Sequence, residues 1–204
     1  MTKKPRSGKF IVLEGLDGAG KSTQAALIGS YLAKSGRAAC MTSEPSQFLV
    51  GGILRSRLLG EWQSSPQCLQ LLFAADRAEH LEKEILPRLE SGQIVVADRY
   101  LMSSIAYGAV DNDFDWLVQV NRNFLIPDIT VYLDASAPVC VRRIIANGKS
   151  IELFEKTEIL EKVALNYKKT IDIFQKNTNV AVIDANRSQE DVFEDIKKII
   201  NNLE

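Results

Sequence analysis

Phe10-Ile-Val-Leu-Glu14 runs directly into Gly15-Leu-Asp-Gly-Ala-Gly20-Lys21-Ser22-Thr23, and helical periodicity begins at Lys21. Four apolar residues closed by a glutamate read as a buried strand, the glycines as a turn, and residues 21–35 as a helix. Residues 15–22 satisfy the pattern G-x-x-x-x-G-K-[ST] in the strand–turn–helix setting that the pattern requires. Glycines let the backbone approach an anion closely and turn its N–H groups inward, while the helix start adds partial positive charge. Lys21 supplies a full charge, and the Ser22 hydroxyl suits Mg²⁺, a hard cation that keeps most of its waters. A solvent-facing glycine turn would leave three glycines and an adjacent Ser-Thr pair unexplained. The pattern points to a nucleoside triphosphate held by Gly15, Leu16, Asp17, Gly18, Ala19, Gly20, Lys21, Ser22 and Thr23.

Outward from this stretch, short β-rich runs alternate with longer helical segments. Ala38-Ala-Cys-Met41, Ile94-Val-Val-Ala97, Ile129-Thr-Val-Tyr-Leu133 and Val180-Ala-Val-Ile183 join Phe10–Glu14 as five predicted strands. They are apolar throughout, as parallel strands buried on both faces are, so helices are expected on both sides of the sheet. The spacing predicts helices over 21–35, 66–90, 101–108, 113–124, 137–147, 152–176 and 188–202. Ser65-Pro66 and Ser188, the latter followed by Glu190 and Asp191, supply start signals. The expectation is one α/β domain over 1–204, with a basic arm at 1–8 and a mobile flap near 146–153, where Gly148 sits in a polar stretch.

Composition narrows the field by exclusion. A chain of 204 residues with a formal charge of −1 is large enough for one core and gives no global reason to bind a nucleic acid polymer. Cys40, Cys68 and Cys140 are scattered, without metal-ligand spacing, and read as buried packing groups in a reducing cytoplasm. Neither a signal-peptide core nor a membrane-length apolar run is present in the sequence. His80 is the single histidine, which excludes multi-histidine metal sites. The Asn-Lys-x-Asp pattern of guanine readers is absent, since Gln175-Lys-Asn-Thr-Asn179 does not match it.

Two further segments, Leu71-Leu-Phe-Ala-Ala-Asp-Arg-Ala-Glu-His-Leu81 and Asp98-Arg-Tyr-Leu-Met-Ser-Ser-Ile-Ala-Tyr107, closely resemble the substrate-binding segments of thymidylate kinases. With Glu14–Gln24 and the Glu44-Pro45 pair, the resemblance runs in the correct order from about residue 9 to residue 200. It implies a three-layer P-loop NTPase fold and transfer of the γ-phosphate of ATP to dTMP, with Mg²⁺ as cofactor. A homodimer is also implied. Phe73 and Arg77, four apart on a helix, share a face; Phe73 would stack on the pyrimidine and Arg77 would donate to its O4. Asp98, at the carboxyl end of a strand, would orient Mg²⁺ with Ser22, while Arg99 would bridge the two phosphates in catalysis beside Lys21. By the same resemblance Arg55 holds the monophosphate, Glu44 belongs to the substrate site and Asp17 accepts from the 3′-hydroxyl. Tyr107 closes the space beside C2′, Ser103 touches the base or bonds locally, and Ala185 and Asn186 lie near adenine.

The loop carries no arginine at its variable positions, so the resemblance implies a catalytic cation from the flap. Arg142, Arg143 and Lys149 are the candidates, with Arg143 and Lys149 first. Two departures stand out: Gly108 where the family commonly has glutamine, and Ser43 where it often has arginine. Gly108 and the sparse flap leave open a kinase for another nucleotide or deoxynucleoside, and the missing flap arginine leaves open a regulatory protein whose phosphotransfer has decayed.

Overall fold

Each of the five apolar runs forms a strand in one wholly parallel sheet, in the order β2-β3-β1-β4-β5. The computed structural model describes residues 7–146, 157–176 and 178–203. The strands are β1 (Phe10–Gly15), β2 (Ala39–Ser43), β3 (Ile94–Asp98), β4 (Ile129–Asp134) and β5 (Val180–Asp184). Around them lie α1 (Lys21–Lys34), α2 (Leu49–Leu58), α3 (Pro66–His80), α4 (Leu86–Glu90), α5 (Leu101–Gly108), α6 (Phe114–Asn121), α7 (Ala137–Ala146), α8 (Thr157–Phe174) and α9 (Gln189–Asn201). The basic arm to residue 6, and the flap from 147 onward with Lys149, fall outside the described residues.

β1 shows how the layers arise. All six of its residues are buried, and successive strand side chains point to opposite faces, so both faces of the sheet are covered at its centre. Helix α1 packs on β1, β2 and β3 and against α9, which covers β5, while α5 packs on β1 and against α8 and α6. Buried Ile28 and Leu32 from α1 and Val163 and Tyr167 from α8 join this core. Full burial of such side chains contributes roughly 1.5–3 kcal/mol each. The edges differ from expectation. Every β2 residue is half-buried or exposed, and Val182 in β5 is 55 % exposed. An apolar run therefore marked a strand correctly without marking its burial.

Helix starts follow the side-chain chemistry: the Ser65 and Ser188 hydroxyls accept from the backbone N–H groups of Cys68 and Asp191. The single helix expected over 66–90 is interrupted. Residues Leu81–Ile85 form a π turn, and the N–H of Leu86 reaches back five residues to the Leu81 carbonyl. Pro87 follows at once, and a residue without N–H whose ring crowds the preceding turn fits such a break.

Helix α2 was not foreseen, because Gly51 and Gly52 in its first turn each oppose a helix by about 1 kcal/mol. Gly51 is required by contact: a Cβ there would lie 2.0 Å from the Ser46 carbonyl oxygen. The cysteines also divide. Cys140 is buried as expected, whereas Cys40 is half-buried and Cys68 lies exposed in the first turn of α3. Packing therefore accounts for Cys140, not for all three. Among the described residues no helix is long and apolar enough to cross a membrane.

Candidate active site

The parallel order places the carboxyl ends of β1, β3 and β4 side by side, and the loop after β1 opens there. Gly15, Gly18 and Gly20 all have positive φ, which side-chain-bearing residues rarely adopt. Gly18 also lies hard against α7, where a Cβ would meet the Cys140 carbonyl oxygen at 2.4 Å. Lys21 folds back over the loop, its Nζ donating to the carbonyls of Gly15 at 3.0 Å and Leu16 at 2.8 Å. Burial, followed by the nearby Arg99 charge, lowers its pKa from 10.5 to about 8, against partial support from Asp17, Asp98 and Glu14.

Asp98 ends β3, and its Oδ2 accepts from the Ser22 hydroxyl at 2.6 Å. Two hard oxygens thus stand together beside the loop, a donor set that fits Mg²⁺, which takes its remaining ligands from water and phosphate. No cluster of three or more His, Cys, Asp or Glu suited to a metal occurs among the described residues. An all-protein metal cage is accordingly not found there.

Arg99 stands in the left-handed region at φ 73°, the one non-glycine residue to do so among those described. Strained positions of this kind cluster at functional sites. Its Nη2 bonds the Asp17 carboxylate, its Nη1 donates to the Ser103 hydroxyl at 3.1 Å, and the guanidinium stacks 4.9 Å from the Tyr107 ring centre. The Tyr107 hydroxyl donates to Asp17 Oδ2 and accepts from the Asp17 N–H, both at 2.9 Å. Burial alone would raise the Asp17 pKa, but Arg99 and Lys21 outweigh it and hold the carboxyl down at about 2. Against its own burial cost, the Asp17 charge pushes Arg99 further up.

Beneath this cluster Glu14 accepts from the backbone N–H groups of Tyr100 and Ser103 and from the hydroxyls of Ser103 and Tyr167. Burial still raises its pKa, with those donors pulling the other way. The Ser103 hydroxyl is therefore held between Glu14, Tyr167 and Arg99.

Two clefts meet over these residues. One runs along the loop and α1 to Arg143, Ala185 and Arg187, and includes Lys21, Ser22, Thr23 and Asp98. The other, about 260 Å³, is walled by Glu44, Arg57, Gln70, Phe73, Tyr100, Ser103, Tyr107, Gly108 and Asn112. Asp17 and Arg99 line both.

Several expected site residues stand back from the clefts. Arg77 is 0 % exposed and does not line the second cleft. Its Nε and Nη2 donate to Glu44, its Nη2 also to Ser104, and its Nη1 to Asn121. His80, on the same helix, bonds Thr42, Glu44 and Glu84. Arg55 donates to the carbonyls of Pro45 and Ser46 and is not on the cleft wall; Arg57, one turn fragment further on, is. Arg143 is tied to the carbonyls of Ala185 at 2.9 Å and Arg187 at 3.2 Å, while Arg142 is exposed. Asn186 spends its side chain on Ser136, Asp134 and Asp184 and lies off the wall that Ala185 helps form.

Sequence reading missed Arg57, Gln70, Asn112 and Arg187 as wall residues. Gln70 had a signal, since it precedes Phe73 by three on one helix and so shares its face. Asn112 had none, being placed by the turn after α5.

The family model for thymidylate kinase matches residues 13–196. The chain belongs to the thymidylate kinase family. A probable thymidylate kinase of Thermococcus gammatolerans is 40 % identical over 204 residues, covering 95 % of this chain and 96 % of the relative. One from Pyrococcus abyssi is 38 % identical over 96 % of this chain and 97 % of its own length. A thymidylate kinase of Caldicellulosiruptor saccharolyticus is 36 % identical with the same coverage. Thymidylate kinase membership makes the chain an ATP-dependent nucleoside-monophosphate kinase and agrees with the strand order and loop described above.

Proposed function

We propose that the chain transfers the γ-phosphoryl group of ATP to dTMP, giving ADP and dTDP, as a cytoplasmic homodimer that uses Mg²⁺. The observation that carries the reading is the pair of clefts sharing Asp17 and Arg99, which suits two nucleotides held phosphate to phosphate. An oxygen of the dTMP phosphate attacks the γ-phosphorus while the bond to the β–γ bridging oxygen breaks and ADP leaves. Such loose in-line transfer depends on positioning and on charge stabilisation.

Lys21 offers its ammonium to the β- and γ-phosphates in place of the Gly15 and Leu16 carbonyls it now bonds. Arg99, held by Asp17, presents its guanidinium between the clefts. Planar paired donors make arginine apt for a phosphate in transit. Ser22 and Asp98 are the residues that would hold Mg²⁺, which when bound neutralises charge on the β- and γ-phosphates. Phe73 gives a flat face for the base, and Tyr107, fixed by Asp17, limits space near the sugar. Arg143, on the wall of the ATP cleft, is the cation expected to complete charge stabilisation, with Lys149 its partner candidate.

Dimerisation is supported by α2 and α3, which pack together and carry exposed Leu49, Ile53 and Leu71. Light scattering of the purified chain tests it, a monomer mass removing this part. The activity is tested by ADP release with dTMP, dUMP, dCMP, AMP and GMP. Greatest turnover on dTMP is expected, and greatest turnover on a purine would overturn the reading.

A further inference from the structure

We infer that Gln70 hydrogen-bonds the Watson–Crick edge of the acceptor base, an assignment that rests on the second cleft being the acceptor site. Gln70 is only 6 % exposed, lies on the cleft wall, and its Oε1 is buried with no hydrogen-bond partner. Buried carboxamides are ordinarily satisfied; this oxygen is closed to solvent as it stands, and turning the amide toward the cleft would let it accept from the occupant. Asn112, on the same wall, also has an unpaired Oδ1, but it is only half-buried and its Nδ2 already donates to the Gly108 carbonyl at 2.9 Å.

Gly108 makes room for this arrangement. An ideal Cβ at position 108 would lie 2.7 Å from Gln70 Cδ and 2.9 Å from Oε1, so any side chain there would claim the space the carboxamide fills. One turn on, Phe73 faces the same cleft. Ring and amide therefore offer a base a stacking plane and an edge reader from one helix face.

The chemistry fits a pyrimidine that carries a ring N–H beside a carbonyl. The N3–H of thymine or uracil donates to Oε1, and Nε2 donates to the adjacent carbonyl oxygen. A carboxamide turned over presents the reverse pair, so Gln70 supplies affinity for the edge while rejection of cytosine is not assigned to it.

The test uses the full chain with Gln70→Leu, Gln70→Ala, Gly108→Ala and the double variant Gln70→Ala/Gly108→Gln. Calorimetry of dTMP without ATP and steady-state KM for each substrate are the readouts. ATP affinity within twofold of the parent serves as the control that the fold is intact.

Gln70→Leu should raise the Kd and KM for dTMP about tenfold, the loss expected for a hydrogen-bonded edge, with the KM for ATP unchanged. Gly108→Ala should impair dTMP binding by colliding with Gln70. The double variant, which delivers a carboxamide into the same space from position 108, should recover at least half of the affinity lost in Gln70→Ala. Unchanged dTMP constants in Gln70→Leu, or equal losses for ATP and dTMP, would overturn the assignment. Should the parent prefer another base, the functional reading fails separately, and a tenfold loss on that base in Gln70→Leu would still support the edge contact.

Discussion

Raising the pH from 7 to 9 should weaken ATP binding about tenfold through Lys21 alone. Burial and the Arg99 charge bring the empty-site pKa to about 8, so the protonated fraction falls from about nine-tenths at pH 7 to about one-tenth at pH 9. Triphosphate arriving at Gly15 and Leu16 restores the charged form, because only the ammonium stabilises the anion. Binding therefore takes up a proton: roughly three-quarters of one per site at pH 8.5, where about that fraction of sites is neutral beforehand.

The sign for folding is the opposite. Between about pH 8 and 10.5 the unfolded chain holds more protons at this lysine than the folded one, so its contribution to stability rises with pH while ATP affinity falls. Calorimetric titration with ATP in two buffers of different ionisation enthalpy reads the uptake directly. A constant Kd from pH 7 to 9.5 with no proton uptake would refute the reasoning.

Phe73→Ala should raise the KM for dTMP by about 5- to 150-fold, the range set by roughly 1–3 kcal/mol of base stacking, with ATP affinity preserved by calorimetry. Equal losses for both substrates would contradict the stacking role. Arg77→Met leaves Glu44 buried without its guanidinium partner and should lower unfolding free energy in urea by about 3–5 kcal/mol. Gly51→Ala forces a Cβ onto the Ser46 carbonyl and should cost about 1–3 kcal/mol in thermal unfolding. Gly52→Ala meets nothing nearer than Arg55 at 4.0 Å and should stabilise by up to about 1 kcal/mol. Matching shifts in the two glycine variants would show that backbone propensity, not contact, sets the effect.

The phosphate loop was legible because its chemistry is local: spacing alone places glycines, lysine and hydroxyl on one turn between a strand and a helix. The five strands were legible for a similar reason, since parallel strands declare themselves as short apolar runs. Contacts that depend on distant pairing were not. Nothing near Arg77 in the sequence announces Glu44 and Asn121, which reach it from other elements. Helix α2 was hidden by two glycines, one of which serves a tertiary approach that overrides propensity. The cysteines misled because exposure at Cys68 follows from the face of α3 it occupies, which composition does not encode.

Gly18 and Cys140 leave no slack between the anion-binding turn and the start of α7. Loop and helix therefore meet backbone to backbone at this point. Arg143, three residues beyond Cys140 on the same helix, is moored by its guanidinium to the Ala185 and Arg187 carbonyls on the way into α9. A side chain at position 18 would therefore press on the backbone of α7 instead of reaching solvent.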